Sequence, residues 1–179
     1  MADGTLKVGT ITTSSGSGTI TLGQSGETVT IPSGVTMSGI GKAIANYFAV
    51  DTTERNSTST SFTTASNTAS ITLTPASTSS KFALFSSFSI GNSGADKRSL
   101  ATIYRDSTNL GSSGGDSCII SSFSTQTGDK EIPAAMVYTD TPNTTSSITY
   151  SLQFLTESGG QFYVARRGLI SFNIIEYSG

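Results

Sequence analysis

Ile148-Thr149-Tyr150-Ser151-Leu152-Gln153-Phe154-Leu155 decides the fold. Ile148, Tyr150, Leu152 and Phe154 take every second position, and Thr149, Ser151 and Gln153 stand between them. Side chains of a strand point alternately to its two faces, so a period of two describes a strand with one face in an apolar core. The same pattern recurs outward from this stretch. Leu169–Tyr177 sets Ile170, Phe172 and Ile174 on one face, and Lys81–Ile90 does so with Phe82, Leu84, Phe88 and Ile90. Ala69–Thr74 alternates through Ile71 and Leu73 and stops at Pro75. Further strands are expected over Ile44–Val50, Arg98–Arg105, Ser117–Phe123, Glu131–Tyr138 and Phe162–Val164. Pro133 cannot donate to a ladder, which suits an edge or a strand start. Turns are expected at Gly91-Asn92-Ser93-Gly94, Asp106-Ser107-Thr108-Asn109, Asp140–Ser146 and Gly159-Gly160. Residues 51–67 are almost wholly polar and read as a surface excursion around a short strand, Ser61-Phe62-Thr63. Residues 40–50 could be argued as a helix, but the β-rich end of that run favours a strand. About eight or nine short strands with regular turns indicate an all-β sandwich or jelly roll.

Composition agrees. Ser and Thr make up about a third of the chain, and charged residues are 12%, about half the usual share. Such a balance can mark a disordered linker, but here the apolar residues cluster in alternating runs. Lys97-Arg98 and Arg166-Arg167 are the only basic pairs and the net charge is -2, so no nucleic-acid partner is expected. No apolar run approaches the length of a membrane span, so no membrane insertion is expected. Met1-Ala2-Asp3-Gly4 lacks the basic and then apolar order of a secretory signal. Cys118 is the single cysteine, which excludes an intrachain disulfide. The expectation is synthesis in a reducing host cytoplasm, with assembly into a virus particle as one route out of it.

The first forty residues repeat a phrase. Thr10-Ile11-Thr12 returns as Thr19-Ile20-Thr21 and as Thr28-Val29-Thr30, with Val35-Thr36-Met37 as a looser copy. Each unit has one or two apolar side chains and cannot bury them alone, so copies must stack. Residues 1–39 are therefore read as an attachment stem, with Ile11, Ile20, Leu22, Val29, Ile31, Val35 and Met37 as its assembly residues. Residues 40–179 are read as the head. The alternative for the stem is a pair of surface hairpins packed on the main domain, although isolated hairpins are marginal in water.

Several head strands carry apolar residues on the second face as well. Phe85 opposes Phe82 and Leu84, Leu155 opposes Phe154, and Leu169 and Ile175 oppose Ile170 and Ile174, with Tyr177 on their side. Burial on both sides requires cover, and a partner subunit is the economical source. Phe85, Leu155, Leu169, Ile175 and Tyr177 are thus the expected trimer interface. The alternative is scattered exposed apolar residues, which are common.

Chemistry is sparse. The chain has no histidine, so His-based triads and His metal sites are excluded. Cys118 sits between apolar residues and reads as a small core residue. Asp96, Asp116, Asp129, Glu131 and Asp140 lie in or near loops, but no spacing defines the carboxylate pair of a glycosidase or an EF-hand calcium loop. Arg105 and Asp106 read as a solvated pair at a hairpin. No catalytic residue, cofactor or metal is expected.

Gly18-Thr19-Ile20-Thr21-Leu22-Gly23, continuing to Ile31-Pro32-Ser33-Gly34-Val35, resembles stalk segments of structural proteins from marine tailed bacteriophages, cyanophages and their relatives. The head resembles a module of those proteins through Thr74-Pro75, Ser79-Ser80-Lys81, Ile103-Tyr104-Arg105-Asp106 and Leu169-Ile170-Ser171-Phe172-Asn173-Ile174-Ile175-Glu176-Tyr177. That module is similar to the trimeric jelly roll of tumour-necrosis-factor-like and complement-type heads. The resemblance implies three subunits about an axis, with first and last strands close together on the inner sheet. It implies a virion structural protein: a capsid decoration or cement protein, or a short head fibre, held to the major capsid protein or another virion component by the stem. The alternative is a receptor-binding tail-fibre tip that recognises a host surface glycan or protein through loops 91–97, 107–117 and 139–147. A hydrolase acting on surface polysaccharide is a third reading, for which no acid pair is identifiable.

The stem reading carries a prediction. Ile20→Asp or Val29→Asp puts an unpaired charge into a shared apolar stack. Assembly into particles is expected to fail while the head keeps its circular dichroism spectrum. Normal incorporation of either variant would contradict the stem reading.

Overall fold

In a computed structural model, the described residues are Ile11, 43–64, 69–113, 116, 118–124 and 130–177. All of them except Ile11 belong to the unit Ile40–Gly179. They form β1 (Ala43–Asp51), β2 (Arg55–Ser57), β3 (Thr63–Thr64), β4 (Ser70–Leu73), β5 (Lys81–Asn92) and β6 (Lys97–Arg105). These are followed by β7 (Thr108–Asn109), β8 (Ile120–Ser124), β9 (Lys130–Asp140), β10 (Ile148–Thr156), β11 (Phe162–Val164) and β12 (Ile170–Tyr177). Among the described residues no helix is long and apolar enough to cross a membrane.

Two antiparallel sheets result. In the first, β9 pairs with one edge of β5, while β12 and then β11 share its other edge. β1 lies beyond β12, and β2 lies beyond β11. In the second, β10 pairs with β6 on one side and with β4 and β3 on the other, and β6 continues to β8 and β7. The main strands therefore run β1-β12-β5-β9 and β4-β10-β6-β8. This order, in which the chain crosses repeatedly between two sheets, is the jelly roll that the sequence indicates. The first and last strands are neighbours, in register from Ala45↔Glu176 to Asp51↔Ile170.

The inner faces hold the expected core. Phe82, Leu84, Phe88 and Ile90 of β5, Ile170, Phe172 and Ile174 of β12, and Ile148, Tyr150, Leu152 and Phe154 of β10 are all buried. Rings bridge the sheets: Phe82 meets Tyr150 at 5.8 Å, and Phe88 meets Phe154 edge-on at 5.3 Å. Phe162 meets Phe154 at 5.8 Å from the other side. Such pairs add about 1 kcal/mol each to the burial of their area.

Local expectations fail where tertiary contacts override them. The turn expected at residues 91–94 begins later, because Gly91 and Asn92 pair with Tyr163 and Phe162 on one side and with Glu131 and Lys130 on the other. The Asn92 amide donates to Thr156 Oγ1 at 2.7 Å and Ser99 Oγ at 2.9 Å, which holds β5 extended to its end. The polar stretch after β1 carries a strand not foreseen, β2, and its other strand sits at Thr63–Thr64 rather than 61–63. Cys118 is half-buried and not a core residue. Burial first, and then the charge of Asp116, raise its thiol pKa, so it is not an activated thiol.

Arg105 and Asp106 are not a solvated pair. Arg105 donates to both oxygens of Asp140 at 2.7 Å, and the buried Tyr150 hydroxyl donates to Asp140 Oδ2 at 2.7 Å. Asp106 instead accepts from the Thr149 amide at 2.8 Å. Burial, and then the bond to Asp140, push the Tyr150 phenol well above its usual pKa. Asp140 thus ties β9 of the first sheet to β6 and β10 of the second. Asp140→Ala leaves the Arg105 charge and the Tyr150 hydroxyl without this acceptor. A loss of about 3 kcal/mol is expected in denaturant unfolding; a change near zero would show that the clamp is energetically idle.

Candidate functional site

The two outer faces are built differently. On the second sheet, the chain covers itself. Leu100 and Thr102 of β6 point outward yet are buried. Thr102 Oγ1 donates to Asn109 Oδ1 at 2.7 Å, and the Ile119 amide donates to the Ala101 carbonyl at 3.0 Å. Gly111 lies so close that an added Cβ would sit 2.6 Å from Thr102 Oγ1. Phe62 reaches Tyr104 at 6.1 Å. This cover explains why β6 alternates poorly in sequence.

Among the described residues, no segment of this kind covers the outer face of the first sheet. One cross-strand row runs Phe48–Asn173–Phe85–Val137 over β1, β12, β5 and β9. The next rows are Val50–Ser171–Ser87–Ala135 and Asn46–Ile175–Ala83–Thr139. Phe48 is 74% exposed, Val137 65%, Val50 48% and Phe85 40%. Residues directly opposite on one face are neighbours, so Phe85 meets Val137, and Asn173 stands between Phe85 and Phe48 in an apolar strip broken by polar residues. Within it, Asn173 Oδ1 is inaccessible to water and has no hydrogen-bond partner among the described residues.

The residues expected at a trimer interface do not all meet. Phe85, Ile175 and Tyr177 point outward from this sheet, and Leu169 lies exposed just before β12. Leu155 lies on the other sheet, half-buried opposite Leu100. Two main contributors, Phe48 and Val137, were missed by reading second faces. Both lie on strands where the other face, Tyr47 and Ala49 or Ala134 and Met136, carries weak alternation. Of the stem set, Ile11 is described and exposed; Ile20, Leu22, Val29, Ile31, Val35 and Met37 lie outside the described residues.

The three loop stretches considered for recognition do not converge. The turn before β6, 93–96, lies at one end of the sandwich, where Gly94 approaches Gly159 and Gly160. The turn after β6, at Asp106-Ser107, lies at the other end with the start of β10, joined by the Asp106 amide donating to the Thr149 carbonyl at 2.8 Å.

Carboxylates largely serve structure. Asp51 pairs with Arg55 at 3.4 Å, and buried Glu176 accepts from the Ala76 amide at 2.7 Å. Burial, and then Glu176, raise the pKa of Tyr47. Arg98 bridges Asp116 and Glu157. Among the described residues, no cluster of three metal-ligating side chains occurs.

No protein-family model and no curated protein matches the chain. Three solved structures from infectious bursal disease virus are similar. The VP2 subviral particle matches at TM-score 0.37 and 15% identity, over 83% of this chain and 42% of that one. The T13 viral particle matches at TM-score 0.40 and 14% identity, over 83% and 40%. The Gx strain structure matches at TM-score 0.39 and 14% identity, over 83% and 42%. The chain spans about two-fifths of those chains, and likeness at this level carries no functional inference.

The charged end of β6 yields a pH prediction. Hydrogen bonds from the Arg98 amide and side chain hold the Glu157 carboxyl below its ordinary 4.5. Its contribution to stability is present above that unfolded value and is lost as pH falls through the lower folded one. Glu157→Gln is expected to remove this part of the acid dependence of Tm. An unchanged slope of Tm against pH below 4.5 would show that the contact has no thermodynamic weight.

Proposed function

We propose that the chain is a non-enzymatic structural protein of a virion surface, working as a homotrimer. In this reading residues 1–39 attach to the major capsid protein or another virion component, and residues 40–179 are displayed as a capsid decoration, a cement protein or a short head fibre. One observation carries it: the row Phe48–Asn173–Phe85–Val137, which crosses four strands of the first sheet, leaves Phe48, Phe85 and Val137 exposed on its outer face. Large apolar side chains gathered on one exposed face are a common mark of an interaction surface. Large apolar side chains gathered on one face are the make-up of an interface core. The face belongs to the sheet that pairs first and last strands, where the resemblance of the head to trimeric jelly rolls puts its subunit contacts. Cyclic closure would cover the face in every copy and leave none open for further growth. The repeat stem, which needs neighbours for its own burial, supports the same assembly.

Light scattering of the purified chain is expected to give three times 18.4 kDa. Phe48→Asp places a charge in the contact at its most exposed apolar residue and is expected to yield a folded monomer. A cooperatively melting wild-type monomer at micromolar concentration would overturn the proposal.

A further inference from the structure

The outer rows that begin at Asn46, Phe48 and Val50 and cross β1, β12, β5 and β9 contain no charged residue. They hold Asn, Ser, Thr, Ala, Val, Ile and Phe. Charges on this side stand at its margins. Lys81 opens β5, four residues before Phe85 and so roughly 13 Å from it along the strand. Glu131 lies six residues before Val137 on β9, roughly 20 Å away. One of its carboxylate oxygens is already engaged by the Arg166 amide at 3.1 Å. Arg167, in the exposed turn before β12, borders the hollow beside Ser87. On the second sheet, by contrast, Arg98 bridges Asp116 and Glu157.

We infer that copies of the chain join through the outer face of the first sheet with no ion pair across it, so that ionic strength does not switch the assembly. The inference rests on the proposed homotrimer and concerns what holds it. A charged partner group brought against these rows would lose its water and meet no opposite charge. The partner must therefore be uncharged over the same extent, and the same face of a second copy meets that condition. Apolar burial is not screened by salt, whereas exposed ion pairs are. The marginal charges stay in water at the rim, where a pair contributes little to the equilibrium.

The test is sedimentation equilibrium of the full chain at about 0.05 M and about 1 M sodium chloride. The association constant is expected to fall no more than about threefold between the two. Sodium sulfate, which strengthens apolar burial, is expected to raise it. Lys81→Glu and Arg167→Glu reverse the marginal charges and are expected to leave it within about threefold of wild type. A larger fall in sodium chloride overturns the inference while the homotrimer stands. So does loss of assembly in either charge variant with an unchanged circular dichroism spectrum. Weaker association in sulfate does the same. Monomers under every condition overturn the homotrimer, and this inference with it.

Discussion

The contact between two sets of inward-facing rings governs this molecule. Phe82, Phe88 and Phe162 of one sheet close on Tyr150 and Phe154 of the other. Neither sheet can bury its inner face alone, so strand order, register and loop paths all answer to this contact. Several polar groups near the core are held by partners from other strands. Asn92 and Asp140 each join strands of the two sheets, and Glu176 pins the chain ahead of β5 to β12. A buried polar group of this kind penalises every arrangement that leaves it unpaired.

Once the core is closed, the outer faces become the place where function can differ. The second sheet folds its own chain across Leu100 and Thr102. The first sheet leaves Phe48, Phe85 and Val137 in water. Among the described residues, that asymmetry separates an outer face covered by its own chain from one that is not.

Much of the fold was legible because alternation is a local signal. The strands at 148–156, 170–177 and 81–92 declare themselves through Ile, Leu, Phe and Tyr on alternate positions. β2 was not legible, because Arg55-Asn56-Ser57 has no apolar period and is a strand only through pairing with β11. Asn92 looks like a turn residue, and its place at the end of a strand follows from acceptors 64 and 7 residues away in sequence. Leu155 looked equivalent to Phe85, since a second-face residue in one strand carries no mark of the sheet it will join.

By itself the sequence determined the all-β class, the inward set of the long strands, the repeat at the N-terminus and the absence of histidine chemistry. These follow from side-chain period and residue type, which need no knowledge of neighbours. Only the tertiary structure decided which outer face stays open, that Phe48 and Val137 share a row with Phe85, and that Asp140 and not Asp106 receives Arg105. Each of these depends on register between strands distant in the chain, and register is settled by how the whole sandwich closes.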